Sequence, residues 1–112
     1  MALPAFSPDM TDAQMHRMAE NARTASDFLK AISHRGRLMI LCHLVTGEKS
    51  VTELEDRLNA RQAAVSQQLA RLRAQGLVTP RRDGKTIYYS LTDPRTKRML
   101  ETIYELFCTD DV

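Results

Sequence analysis

The sequence predicts a mainly α-helical domain with one β-hairpin, in the order helix, helix, helix, helix, hairpin, helix. Three observations predict it. Apolar residues recur at helical spacing in the stretches either side of one segment rich in strand-forming residues. That segment is centred on Asp83-Gly84, a hairpin signal. No repeat, linker or low-complexity tract interrupts the 112 residues. A chain of this length fits one small domain, whose modest core favours pairing with a second copy. The expected organisation is an irregular segment over residues 1–10, containing Pro4 and Pro8, and a single domain over 11–112.

The first helix begins at Thr11, whose side chain can cap it; Gln14, three residues on, completes a capping-box pattern. Met15, Met18, Ala22, Ala25, Phe28, Leu29 and Ile32 then follow a helical period to a stop near Ser33. The second helix runs from about Arg35 to Thr46, with Gly47 as its stop. Leu38, Leu41, Cys42 and Val45 share one of its faces. Ser50-Val-Thr-Glu opens a short third helix, Val51 to Leu58, with Ser50 or Thr52 as cap and acids in its first turn. Asn59-Ala60 is a turn. The fourth helix starts at Arg61 or Gln62, runs to Gln75 and stops at Gly76. In LVTPRRDGKTIYYSL, Pro80 makes the first strand short or an edge. Asp93-Pro94 opens the last helix, with Met99, Leu100, Ile103, Leu106 and Phe107 as its apolar stripe.

Net charge is only +2, but its distribution is uneven. Between Arg57 and Arg98 stand ten Lys or Arg against Asp83 and Asp93, a balance of +8; the remainder has six bases and twelve acids, a balance of −6. Such asymmetry points to a half that binds a polyanion. The nearly apolar run Leu38 to Val45 is too short to cross a membrane. Met1 to Met10 lacks the cationic and apolar regions of a signal peptide, so the expected location is cytoplasmic.

The fourth helix explains the charge. Val65, Leu69 and Leu72 point one way. The other side carries Ala63, Ser66, Gln67, Ala70 and Ala74, flanked by Gln62 and Arg71. A helix surface that needed only solubility would usually carry long charged residues there. Small residues let a backbone approach another surface closely, and Ser and Gln offer donors and acceptors to base edges and phosphates. With the short helix before it and the tight turn between them, this is a helix-turn-helix with the fourth helix in the DNA major groove. Arg81, Arg82 and Lys85 on the hairpin reach the neighbouring backbone or minor groove. The expected DNA-binding set is Thr52, Gln62, Ala63, Ser66, Gln67, Arg71, Arg81, Arg82 and Lys85.

From about Arg37 to Asp93 the chain resembles the winged helix-turn-helix of ArsR-type bacterial repressors. The resemblance is most specific at Ala64-Val65-Ser66, Leu69 to Leu72, Gly76-Leu77-Val78, and Gly84-Lys85 followed by Tyr88-Tyr89. It implies a transcriptional repressor: a homodimer joined through the first and last helices, on a roughly palindromic operator with half-sites about one helical turn apart.

Many members of that family sense metals. Here the helix opening near Ser50 has no Cys and the last helix has no His, so the family's thiolate and Asp/His patterns are both missing. His16, His34 and His43 lie in the first half. Cys42 and His43 are neighbours about 100° apart on a helix and do not chelate together easily. A metal-responsive repressor, with a site from Cys42, Cys108 and a His, stands as the alternative. No metal and no cofactor are expected.

The two cysteines, Cys42 and Cys108, have a plain reading as small apolar residues. A permanent disulfide does not suit a reducing compartment, but a reversible one is a redox switch. Their placement, one in the second helix and one in the last, resembles the sulfide-responsive branch of the ArsR-type repressors. That resemblance implies persulfide sensing. Reactive sulfur species would join Cys42 to Cys108 within one subunit by a disulfide or polysulfide bridge, and the bridged form would leave DNA and derepress sulfide-oxidation genes. Arg35, Arg37 and His43 could favour a thiolate at Cys42, whereas Cys108 sits at a helix C-terminus, where the dipole opposes negative charge. Cys42 is therefore the expected attacker. A thiol enzyme is a poorer reading: there is no Cys-x-x-Cys, no Gly-rich phosphate loop and no clustered acid or base.

Overall fold

A computed structural model describes residues 8–108. Most of the irregular segment expected over residues 1–10 lies outside them, as do residues 109–112. The elements in chain order are α1 (Asp12–Ile32), α2 (Arg35–Leu44), β1 (Lys49–Ser50), α3 (Val51–Leu58), α4 (Gln62–Ala74), β2 (Val78–Asp83), β3 (Thr86–Leu91) and α5 (Pro94–Phe107). This is the predicted mainly helical, winged helix-turn-helix order, with β1 added. The chain forms two compact units, one ending at Lys30 and one beginning at Ala31. No helix among the described residues is long and apolar enough to cross a membrane.

In the first unit, α1 starts where the capping box places it. Thr11 N donates to Gln14 Oε1 (2.8 Å) and Gln14 N donates to Thr11 Oγ1 (3.2 Å). Two orphan amides of the first turn are thereby satisfied. The expected apolar stripe is present, but Met15 and Leu29 stand 56% and 52% exposed.

The second unit holds the core. Ile40, Leu41, Leu44, Leu54, Val65, Leu69, Leu72 and Leu100 are all essentially without solvent contact. They come from α2, α3, α4 and α5. Val65, Leu69 and Leu72 are the stripe expected of α4, whereas α2 buries Ile40, Leu41 and Leu44 and leaves Leu38, Cys42 and Val45 of its expected face half-buried, and of the expected α5 stripe only Leu100 is buried. Ser50 caps α3 in a full capping box: Glu53 N donates to Ser50 Oγ and Ser50 N donates to Glu53 Oε1, both at 3.1 Å. Asn59 takes the left-handed conformation at the end of α3 (φ 50°). This allows α3 and α4 to follow each other with only a short turn between them.

Gly76 ends α4 with φ 75°, a conformation a Cβ penalises. Leu77 N then donates back to Leu72 O (2.9 Å), and the chain turns into the sheet. The strand order is β1-β3-β2, all antiparallel. Pro80 therefore sits on an edge strand, where its missing N–H costs no ladder bond. Asp83 pairs with Thr86, so the two-residue turn is Gly84-Lys85, with Gly84 at φ 62°. That position requires positive φ in the tight turns that match strand twist. Asp93 caps α5 through a bond accepted from Arg95 N (2.8 Å), and Pro94 occupies the first turn, where its lack of an N–H is harmless.

Candidate nucleic-acid interface and dithiol

The two sides of α4 differ sharply in burial. Val65, Leu69 and Leu72 are at most 1% exposed, while Gln62, Ala63, Ser66, Gln67, Ala70, Arg71 and Ala74 are all exposed. The helix is therefore anchored through one stripe and presents a flat, small and polar surface through the other. It packs against α2 and α3. Arg37 adds a polar anchor: its Nε donates to Ala31 O (2.6 Å) and its Nη1 to Gln68 Oε1 on α4 (3.3 Å). Thr52 lies exposed in the first turn of α3. Nothing local in the sequence pointed to the pairing of Arg37 with Gln68.

On the wing, Arg82 and Lys85 are exposed, Arg82 on β2 and Lys85 in the turn. Arg81 is different. Its Nε and Nη2 donate to Oε2 (3.1 Å) and Oε1 (2.5 Å) of Glu48, and its guanidinium carbon lies 4.8 Å from the centroid of the Tyr88 ring. Glu48 is held below the usual carboxylate range, chiefly by the Arg81 hydrogen bonds, and Arg81 is raised by the same partner. Sequence reading missed this pair, and missed β1. Two residues, Lys49 and Ser50, are too few to register as a strand. Lys49 is nearly buried, with Nζ donating to Thr46 Oγ1 (3.1 Å) and Gly47 O (3.2 Å).

Cys42 lies on α2 and Cys108 at the C-terminal cap of α5; both are free thiols and half-buried. Burial pushes the Cys42 thiol above its ordinary value, and the nearby Cys108 pushes it the same way. Arg35, Arg37 and His43 do not lower the Cys42 thiol; the shift runs opposite to the expected activation, because desolvation disfavours a thiolate.

The histidines are distributed singly. His16 lies 3.3 Å from Glu20 on the exposed face of α1. His34 caps α2, its Nδ1 accepting from Gly36 N (3.0 Å). His43 is lowered by burial and then by Arg57 and Lys49. Among the described residues no three His, Cys, Asp or Glu gather as a metal ion would need.

A helix anchored on one side and polar on the other, preceded by a short helix and followed by a two-stranded ribbon, defines a winged helix-turn-helix of the DNA-binding type. The sequence profile of the arsR family of bacterial regulatory proteins matches residues 34–79. The biofilm growth-associated repressor of Agrobacterium fabrum is 39% identical over 103 residues, covering 92% of this chain and 88% of its own. The transcriptional activator HlyU of Vibrio cholerae is 42% identical over 94 residues, covering 84% and 87%. Among solved structures, reduced HlyU from Vibrio cholerae matches with a TM-score of 0.80 at 42% identity, over 83% of this chain and 98% of that one. The transcriptional repressor BigR from Xylella fastidiosa matches with a TM-score of 0.79 at 40% identity, over 89% and 99%. The chain belongs to the arsR family of bacterial regulatory proteins, and it is a transcriptional regulator, not an enzyme.

Proposed function

We propose that this regulator is a cytoplasmic, homodimeric repressor whose grip on operator DNA is released when reactive sulfur species join Cys42 to Cys108 within a subunit. Sulfide-oxidation genes would be derepressed as a result. The single observation that supports the reading best is the pair of free, half-buried thiols, Cys42 on α2 and Cys108 at the C-terminal cap of α5. Support for dimerisation comes from the apolar faces that one chain leaves uncovered. Met15 and Leu29 are exposed on α1, and Tyr104, Leu106 and Phe107 on α5 at 50%, 72% and 77%. A solved relative from Mycobacterium bovis, 25% identical, is described as homodimeric.

In the DNA complex, Gln62, Ala63, Ser66 and Gln67 of α4 face base edges. Thr52 and Arg71 contact the flanking backbone, and Arg82 and Lys85 of the wing the phosphates beyond. Arg81, already paired with Glu48, is not counted among these contacts.

The chemistry balances with a persulfide as oxidant. One thiolate takes the outer sulfur of the persulfide, and the donor leaves as a thiol. The second thiolate attacks the protein-bound sulfur and expels hydrosulfide. Two protein thiols are oxidised, one sulfane sulfur is reduced, and a disulfide remains. A further equivalent of persulfide lengthens the bridge by one sulfur. The bridge ties α2, which leads into the DNA-reading helices, to α5. A coupling of about 1–3 kcal/mol between bridge and DNA is typical of such switches and weakens binding about 5- to 150-fold.

The test is DNA binding to the chain's own promoter region by reduced protein, with and without a persulfide, alongside intact-mass spectrometry. A mass gain confined to single subunits, both thiols blocked and DNA released, is the expected result. The reading fails if Cys42→Ser protein still leaves DNA on persulfide addition. Release by metal ions instead would favour the metal-responsive alternative.

A further inference from the structure

We propose that Glu48 is an internal counterion that withholds Arg81 from DNA and uses it to fix the base of the wing. Among the wing cations, Arg82 and Lys85 are then left to meet phosphates. The proposal rests on the DNA-binding reading and refines it.

Arg81 and Tyr88 are direct partners across β2 and β3, and Tyr88 is in turn the partner of Ser50 on β1. Side chains alternate along a strand, so Arg81 and Arg82 leave opposite faces of the ribbon. Only Arg81 lies on the Tyr88 side. There its guanidinium stacks on the ring and presents a fork to Glu48, in the connector between α2 and β1. Both donors of that fork are taken up by the two carboxylate oxygens. This is the same planar, two-point recognition by which Arg binds a phosphate, so the Glu48 carboxylate occupies the Nε–Nη2 edge of the guanidinium and neutralises the charge that would draw it to a phosphate. The clamp links β2 and β3 through side chains to the connector that leads into β1: Glu48 immediately precedes β1, Arg81 stands on β2 and Tyr88 on β3. The pair remains half open to solvent, at 54% and 37% side-chain exposure. It is therefore a positioning device rather than a source of stability, and its removal leaves the core intact.

The consequence is a count of charges. Each phosphate neutralised by a side chain steepens the dependence of log affinity on log salt by about 0.9. An Arg81 held by Glu48 adds nothing to that slope. Binding of the reduced full chain to a fluorescein-labelled mixed-sequence duplex of about 30 base pairs, long enough for two half-sites a turn apart, is followed by anisotropy between about 50 and 200 mM KCl. Glu48→Gln frees Arg81 and is expected to steepen the slope by about 0.9 per bound wing. The double variant Glu48→Gln/Arg81→Gln is expected to keep the wild-type slope, whereas Arg82→Gln and Lys85→Gln each make it shallower.

An unchanged slope in Glu48→Gln, together with a shallower one in the double variant, would mean that Arg81 already contacts phosphate, and would overturn the proposal. If instead Arg82→Gln and Lys85→Gln leave the slope of the wild-type chain untouched, the wing does not meet DNA. The broader reading of the interface fails in that case, and the proposal with it. Far-UV circular dichroism of each variant checks that the fold is retained.

Discussion

Leu69 and Gln67 sit two residues apart on α4, and their substitutions should separate folding from DNA readout. Leu69 has no solvent exposure and packs among the other core leucines. Leu69→Ala removes the γ and both δ carbons. At about 0.8 kcal/mol per buried methylene-sized group the transfer loss alone is about 2.4 kcal/mol. The cavity left in a core of well-packed leucines brings the total to about 3–4 kcal/mol, within the usual span for buried Leu→Ala changes. At about 4–8 °C per kcal/mol for a domain near this size, the melting temperature should fall by more than about 10 °C. Gln67 is exposed, so Gln67→Ala should stay within about 0.5 kcal/mol in stability. It should nonetheless weaken discrimination between operator and random DNA by about 1–3 kcal/mol if the amide reads a base edge. The assay pairs thermal denaturation at one fixed protein concentration, since an oligomer's stability depends on it, with anisotropy titrations on both duplexes. Equal losses of melting temperature in the two variants would refute the division of α4 into an anchored and a reading face.

The α3 cap and the dithiol each offer checks on local chemistry. Ser50→Ala removes a cap whose hydroxyl is buried and whose partner Glu53 reaches back to the same residue. Chemical denaturation should show a loss of about 1 kcal/mol. The same pair sets an acid dependence. Ser50 holds the Glu53 carboxyl below its ordinary value of 4.5. A carboxylate lowered by folding contributes stability that is fully present above the unfolded value and is lost as pH falls through the folded one. Glu53→Gln should therefore flatten the stability profile below about pH 4.5 relative to wild type, and an unchanged acid limb would contradict the assignment. At the dithiol, the raised Cys42 thiol should be alkylated more slowly at neutral pH than an unperturbed thiol and should accelerate with rising pH. Cys108→Ser removes one of the two causes and should speed Cys42 modification at a given pH, read by mass spectrometry. A Cys42 reactivity that titrates below 9.0, the ordinary value, would show that the neighbouring bases outweigh burial.

Much of the fold was legible because its signals are short-range. Thr11 with Gln14, Ser50 with Glu53, and Asp93 beside Pro94 each satisfy their own helix start with atoms at most three residues away. Gly76 and Gly84 mark reversals that need positive φ. The period of Val65, Leu69 and Leu72 identified the buried side of α4 and, by subtraction, its reading side. Other stripes were read correctly as apolar yet are not core within one chain. Leu29, Leu106 and Phe107 remain exposed, since periodicity reports which face seeks cover but not where the cover comes from.

The site was legible in residue type more than in partnership. Exposed polar residues on α4 and cations on the wing follow from composition and spacing. Arg81 looked like Arg82 in sequence, because two adjacent arginines differ only in which side of the ribbon they leave. What separates them is a carboxylate 33 residues earlier in the chain. Arg37 likewise meets Gln68 across 31 residues, and the titration of Cys42 answers to burial and Cys108 more than to its sequence neighbours.

Helix starts, turn glycines, the hairpin and the apolar stripes were determined by the sequence alone, because each depends on atoms a few residues apart. The three-stranded order with β1, the Glu48–Arg81–Tyr88 clamp, the Arg37 anchor on α4 and the half-burial of the two thiols were decided only by tertiary structure. Long side chains take the partner that folding delivers, and desolvation is a property of the assembled interior rather than of any local stretch of chain.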